Sequence, residues 1–411
     1  MKGACFYKYS SCFILLLIFS QVSVYGQIQI KPMPVSAEVV DIGSSKVLKG
    51  ASILNNEGYF VWGGSVVKGE DGRYHMFYSR WKSGPDTDVF SKSWVLESEI
   101  AYAVSDKPAR DFRYVKTILQ GKRFEGDTVA WDSQAVHNPH IKKFKNTYYL
   151  YYIAGHDPGE QSVESTRGYL DKRSRVQQSQ QIGVIKFNTI DDLLSGNFKR
   201  PNTPLISPKT RVKQNKILNP SPEGTKPMPS NIITVNPSVV ENPIDGKFIL
   251  YFKGNLYDPS WRGVHGYAIS DNPDGPFEQS DKIVFKYTDA EGKIASAEDP
   301  YVWYSPSEEI FYAVFKDFTG AITKSRPGLA ILKSKDGIEW ENDQNKLFSP
   351  LEVTLQTGEV VKVSRLERPQ LLIDEKGIPI AMYAACALEN LNKKNDGSSF
   401  NIQIPIEVNQ P

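Results

Sequence analysis

Along the chain, short apolar and aromatic runs alternate with polar turns, and no stretch sustains the helical spacing of an amphipathic helix. The pattern predicts strands, and it repeats. A polar residue and a proline lead into a short apolar strand, a turn follows, and a second strand rich in aromatics completes the pair. His137-Asn138-Pro139-His140-Ile141 runs into Tyr148-Tyr149-Leu150-Tyr151-Tyr152, and Val235-Asn236-Pro237-Ser238-Val239-Val240 runs into Phe248-Ile249-Leu250-Tyr251-Phe252. Glu298-Asp299-Pro300-Tyr301-Val302-Trp303 leads to Phe311-Tyr312-Ala313-Val314-Phe315, and Glu367-Arg368-Pro369-Gln370-Leu371-Leu372 to Ile380-Ala381-Met382-Tyr383. A fifth copy, Trp62-Gly63-Gly64-Ser65-Val66-Val67 into Tyr74-His75-Met76-Phe77-Tyr78, has Gly64 in place of the proline. Further strands follow at Glu99, Gln181, Gly266 and Gly328, and Asp71-Gly72, Asp245-Gly246, Asp336-Gly337 and Lys376-Gly377 mark turns. Five copies of one strand pair predict an all-β, five-bladed β-propeller with about four antiparallel strands per blade. A two-sheet sandwich would not repeat one pair in this way.

Composition supports strands and turns over helices: 21 Tyr, 20 Phe and 7 Trp accompany 30 Gly and 26 Pro. Residues 27–411 read as one propeller domain, interrupted by polar insertions at about 155–181 and 199–231. Loops of this length are expected to wall the channel mouth or to extend from the outer edge. Residues 1–26 read differently. Lys2 and Lys8 precede the apolar run Phe13 to Phe19, and Val24-Tyr25-Gly26 ends the segment, as in a secretory signal peptide. The run is too short for the roughly 30 Å of a bilayer's hydrocarbon, so a secreted or periplasmic chain with no membrane span is expected.

The leader carries two of the 49 basic residues and none of the 47 acidic ones, so the remainder is neutral overall. Neutrality argues against a general nucleic-acid binder. Cys386 alone remains after the leader, so the core must supply the stability without an internal disulfide. No sequence feature sets the oligomeric state.

The inner strand of each propeller blade starts near the channel mouth, so the positions just before the repeated proline converge on one cavity. They read Trp62-Gly63, His137-Asn138, Val235-Asn236, Glu298-Asp299 and Glu367-Arg368, and give a cavity expected to be locally acidic. His137, Asn138 and Asn236 are candidates for binding a ligand's hydroxyls. His137 is also a candidate acid or ion ligand, and His140 follows the proline of the same strand. Trp62 and Trp131 are candidate flat platforms for the C–H face of a ligand, and Arg368 is a candidate partner for an anionic group. Lys253 and Lys316, at the ends of second strands, are expected to be solvated. No HExxH or paired-cysteine spacing suggests a metal site.

The carboxylate-proline segments, together with Gly266-Tyr267-Ala268-Ile269-Ser270-Asp271-Asn272-Pro273-Asp274-Gly275-Pro276-Phe277-Glu278, resemble the five-bladed propeller glycoside hydrolases of families 43, 32, 68 and 117. The resemblance spans roughly residues 55 to 390. It implies a carbohydrate substrate and cleavage by paired carboxyl groups, one protonating the leaving oxygen and the other acting as base or nucleophile. Glu298 or Glu367 would then be the general acid, and Asp299 the base or the group that tunes the acid. No cofactor is required, and a structural calcium in the channel is conceivable from the family but lacks a ligand signature in this sequence. One position departs from the pattern. These families place a catalytic aspartate in the first blade where this chain has Gly63, so the expected base is missing and Asp132 is the first candidate to replace it. The alternative is a noncatalytic glycan-binding propeller.

Overall fold

The computed structural model describes residues 29–160, 171–209, 228–256, 262–341 and 346–409. The leader and the middle parts of both insertions lie outside the described residues. The architecture is a β-propeller of five blades. Blade I pairs Tyr59–Lys68, Tyr74–Lys82, Glu99–Ser105 and Arg113–Leu119 in that order, from the channel outward. Blade II is built from Ala135–Phe144, Thr147–Gly155 and Gln181–Phe187, and blade III from Val235–Glu241, Phe248–Leu256, Arg262–Ser270 and Glu278–Gln279. Blade IV comprises Ala297–Ser305, Ile310–Asp317, Gly328–Ser334 and Leu347–Pro350. Blade V takes its first three strands from Arg365–Ile373, Pro379–Ala387 and Phe400–Asn409, and its outermost strand from Gln29–Pro32 at the other end of the described chain. That pairing, with Gln29 opposite Asn409 and Pro32 opposite Ile406, ties the two ends of the propeller together.

Aromatic side chains, many of them on the second strands, hold neighbouring blades to one another. Tyr301, Trp303 and Tyr312 of blade IV pack with Leu366, Leu371 and Met382 of blade V, and Phe77 and Tyr102 of blade I share a core with Ile141 and Tyr148 of blade II. At one repeated second-strand position a buried tyrosine reaches out of its own blade. Tyr151 donates its hydroxyl to the Pro273 carbonyl (2.6 Å), Tyr251 to Gly337 (2.5 Å) and Tyr383 to Pro108 (2.5 Å), each acceptor lying in the next blade around the ring. A buried phenol needs such a partner. Tyrosine there supplies apolar area and a fixed inter-blade hydrogen bond together. Cys386 is fully buried on the second strand of blade V, where burial pushes its thiol well above the ordinary range.

The same irregularity interrupts all five inner strands. Their register against the second strands slips between Trp62 and Ser65, His137 and His140, Val235 and Ser238, Glu298 and Tyr301, and Glu367 and Gln370. At each bulge the residue before the repeated proline position is left-handed: Gly63 (φ 57°), Asn138 (47°), Asn236 (56°), Asp299 (62°) and Arg368 (54°). Gly, Asn and Asp tolerate this conformation, whereas a long side chain such as Arg368 does so at a cost, which the surrounding contacts must offset. The bulge re-aims its own side chain and that of the preceding residue towards the channel.

Candidate active site

The five bulges build a floor. Asn138 Nδ2 donates to Asn236 Oδ1 (2.9 Å), Asn236 Nδ2 donates to Asp299 Oδ1 (2.5 Å), and the Arg368 backbone N–H donates to Asp299 Oδ2 (2.9 Å). Arg368 Nη2 then reaches the Asn138 carbonyl at 3.3 Å, which closes the circuit beside Gly63. Gly63 contributes only backbone, its carbonyl accepting from Asn401 Nδ2 (2.8 Å). Above this floor opens a cavity of about 160 Å³.

Its charged wall comes from blades III, IV and V. Glu298 meets Lys253 Nζ at 2.6 Å, and Arg365 Nη1 lies 3.3 Å from Glu367 Oε1. Asp299 is buried, and loss of hydration, reinforced by the Glu298 charge, pushes its carboxyl up to about 7 against the pull of Arg368. Glu367 is also raised, first by burial; Arg365 and Lys316 oppose that shift and Glu298 adds to it. The aromatic wall comes from blades I and II. Trp62 packs edge-on to Phe90 (ring centroids 5.1 Å), and a short helix between the second and third strands of blade I, Phe90–Glu97, brings Phe90 and Trp94 to the cavity. Gln177 and Gln180, at the end of the first insertion, complete the mouth.

Several sequence-stated candidates therefore meet: Trp62, His137, Asn138, Asn236, Glu298, Asp299 and Glu367 all line the cavity, and Arg368 closes the floor. Others lie elsewhere. Asp132 is fully buried in the wall of blade II, its Oδ2 accepting from Arg200 Nε (2.6 Å) and the Tyr152 hydroxyl (3.3 Å), so it does not face the cavity and cannot stand in for the missing base. Trp131 packs on Tyr152 with ring centroids 5.8 Å apart and donates Nε1 to the Pro201 carbonyl, so its ring face is core rather than platform. Trp131→Ala is expected to cost about 3 to 5 kcal/mol in urea unfolding and to leave glycan affinity unchanged. His140 lies below the floor: Nε2 accepts the Val239 N–H (3.0 Å), which puts its proton on Nδ1, donated to Gln370 Oε1 (2.7 Å). Neither nitrogen is left for a ligand.

His137 stays at the cavity but with a narrower role. Its Nδ1 lies 2.7 Å from the Ser98 hydroxyl, and Trp81 and Trp94 flank the ring at 5.6 and 5.0 Å. Burial, with the Arg368 charge adding to it, depresses the imidazole to about 3, so it is neutral near pH 7 and is not an acid there.

The sequence also misplaced the lysines. Lys253 and Lys316 are buried, not solvated. The strand register is the signal that would have found them: Lys253 pairs with Val235 and Lys316 with Glu298, the inner-strand residues that open the bulges. With Arg365 and Arg368 they set four basic side chains against the three carboxyls Glu298, Asp299 and Glu367, so the cavity is a mixed-charge site rather than an acidic one.

No protein-family model matches the chain, and no curated protein matches it. Solved structures do. A family 117 glycoside hydrolase of the marine bacterium Zobellia galactanivorans superposes with a TM-score of 0.52 at 16% identity, covering 93% of this chain and 90% of that one. An alpha-L-arabinofuranosidase from Lactobacillus brevis gives a TM-score of 0.51 at 13% identity, over 84% of this chain and 91% of that one. The fold is that of the five-bladed propeller glycoside hydrolases.

Within this propeller hydrolase fold, the position at which the resemblance expects a base is open. A Cβ built on Gly63 would meet Asn138 Oδ1 at 3.4 Å and Arg368 Cβ at 3.9 Å, ordinary contact distances. A channel calcium, by contrast, does not fit the residues present. Arg368, 1% exposed, carries a fixed positive charge into the floor with Nε and Nη1 unpartnered, donors that repel a cation. Among the described residues no three His, Cys, Asp or Glu side chains group as metal ligands.

Proposed function

We propose that the chain is a glycoside hydrolase that cleaves glycosidic bonds of an oligo- or polysaccharide in the propeller cavity, with Glu367 as general acid. One observation carries the reading: Glu298, Asp299 and Glu367 line one cavity that aromatic side chains wall on the other side. Aromatic faces suit sugar C–H surfaces, and a carboxyl raised by burial suits protonation of a leaving oxygen. Asp299 fits the part of the group that tunes the acid, because both its oxygens are engaged in the floor. The likeness of fold to solved glycoside hydrolases supports hydrolysis of a glycan.

Gly63 favours a second reading, a propeller that binds glycans and does not cut them. Incubation with a panel of plant and algal oligosaccharides, read by chromatography, separates the two. The hydrolase reading expects shorter products with new reducing ends, whereas binding without cleavage selects the second. The leader-like segment supports export, which cell fractionation of the full chain checks by its presence outside the cytoplasm. Among the described residues, no helix is long and apolar enough to cross a membrane.

A further inference from the structure

We propose that the general base has moved from blade I to blade IV: Glu298, held by Lys253, takes the proton of the attacking water in place of the carboxylate that Gly63 cannot supply. The proposal rests on the hydrolase reading above. It follows from what each carboxyl group near the cavity is free to do. Asp132 faces away into the blade II wall, neutralised by Arg200. Asp299 has Oδ1 bonded by Asn236 and Oδ2 bonded by the Arg368 N–H, so the floor uses both oxygens. Glu367 meets Arg365 Nη1 through both oxygens (3.3 and 3.4 Å) and is the more buried of the two glutamates, so it keeps the part of proton donor that the hydrolase reading gives it and is not free as a base. Glu298 differs from all three. Its side chain is 25% exposed at the cavity, and Lys253 engages Oε1, leaving Oε2 for a water.

Lys253 is the positioning residue. It stands on the second strand of blade III, opposite Val235 and His265, and its ammonium crosses to the neighbouring blade to meet Glu298. The pair thus fixes the carboxylate from a different sheet. In the step itself, the water oxygen forms a bond to the anomeric carbon and its proton passes to Glu298. The glycosidic C–O bond breaks at the same carbon, and the leaving oxygen takes the proton of Glu367. Return of one proton from Glu298 through solvent to Glu367 resets the site. Attack by water opposite the leaving group inverts the anomeric centre.

Gly63 makes the proposal testable by repair. Asn138, Asn236, Asp299 and Arg368 carry side chains at the same left-handed backbone that Gly63 adopts, and a Cβ there meets nothing closer than 3.4 Å. Space therefore admits an aspartate at 63, at the cost of the left-handed strain that Asp299 already carries, and it would enter the floor where the resemblance expects the base. The experiment measures hydrolysis, on a glycan that the wild type cleaves, for the wild type, Glu298→Gln, and Glu298→Gln combined with Gly63→Asp. Glu298→Gln is expected to lower kcat by roughly 10² to 10⁴, with KM little changed, and Gly63→Asp is expected to return at least about a tenth of that loss as rate. Lys253→Met should lower kcat with KM little changed, and Lys253→Arg should restore it, a response that a merely structural lysine would not give. Product NMR at early times should show inversion. Full activity of Glu298→Gln, or retained anomeric configuration, overturns the proposal while leaving the hydrolase reading intact. A wild type that binds but cleaves none of the panel overturns both, and unchanged melting temperatures of the variants establish that each is folded.

Discussion

Glu367→Gln is expected to lower kcat/KM for glycoside hydrolysis by about 10²- to 10⁴-fold while leaving affinity for the same glycan nearly unchanged. The substitution keeps the size of the side chain and removes the transferable proton. The loss should depend on the leaving group. A natural sugar alkoxide needs protonation as the bond breaks, whereas a dinitrophenolate does not, so the variant should lose far more on oligosaccharides than on a dinitrophenyl glycoside. The pH profile gives a second check. Burial raises the Glu367 carboxyl, so the wild type should keep its acid form, and its activity, to higher pH than an ordinary glutamate allows, and the basic limb should vanish in the variant. Equal losses on both substrates would assign Glu367 to binding or packing instead.

The second large effect concerns stability. Asp299 carries a carboxyl moved from 3.8 to about 7 by burial and by the neighbouring Glu298 charge, with Glu367 adding to the rise and Arg368 opposing it. Because the folded value lies above the unfolded one, the folded state binds the extra proton between those values. The contribution is fully present below about 4 and is lost as pH rises through about 7. His137 and His265, both depressed to about 3 by burial, act in the opposite direction below their unfolded values, so wild-type stability alone is a mixture. The difference between wild type and Asp299→Asn isolates the one group. Between pH 4 and pH 8 the wild type should lose on the order of 2 to 4 kcal/mol relative to the variant, measured by urea unfolding at each pH. Parallel curves for the two proteins would show that Asp299 is charged in the folded floor throughout.

The repeat made the fold legible because it recurs at two levels. The aromatic second strands report packing between blades, and Tyr151, Tyr251 and Tyr383 occupy one register position for one reason, the hydroxyl that each lends to the next blade. The residues before the prolines were legible for a related reason: a bulge at one repeated place turns them all towards the channel. What the sequence hid is the geometry between strands distant in the chain. Gln29–Pro32 completes blade V by pairing with Phe400–Asn409, a contact that no local pattern announces. Lys253 and Lys316 read as strand ends with solvent ahead of them, yet register sets them opposite the bulges and carboxylates keep them buried. Asp132 misled because a Trp-Asp-Ser turn close to an inner strand places the backbone near the channel but says nothing of the side chain, which Arg200 draws into the blade wall. Phe90 and Trp94 arrive on a helix that interrupts the strand repeat.

In the proposed reaction, water cleaves a glycosidic bond in this cavity with the help of Glu367. Incubation in water enriched in heavy oxygen, followed by mass spectrometry of the products, tests it most directly. One heavy oxygen is expected at each new reducing end with the wild type, and almost none with Glu367→Gln in the same time. Glycan that binds the wild type and returns uncut, or products that carry no heavy oxygen, would contradict it.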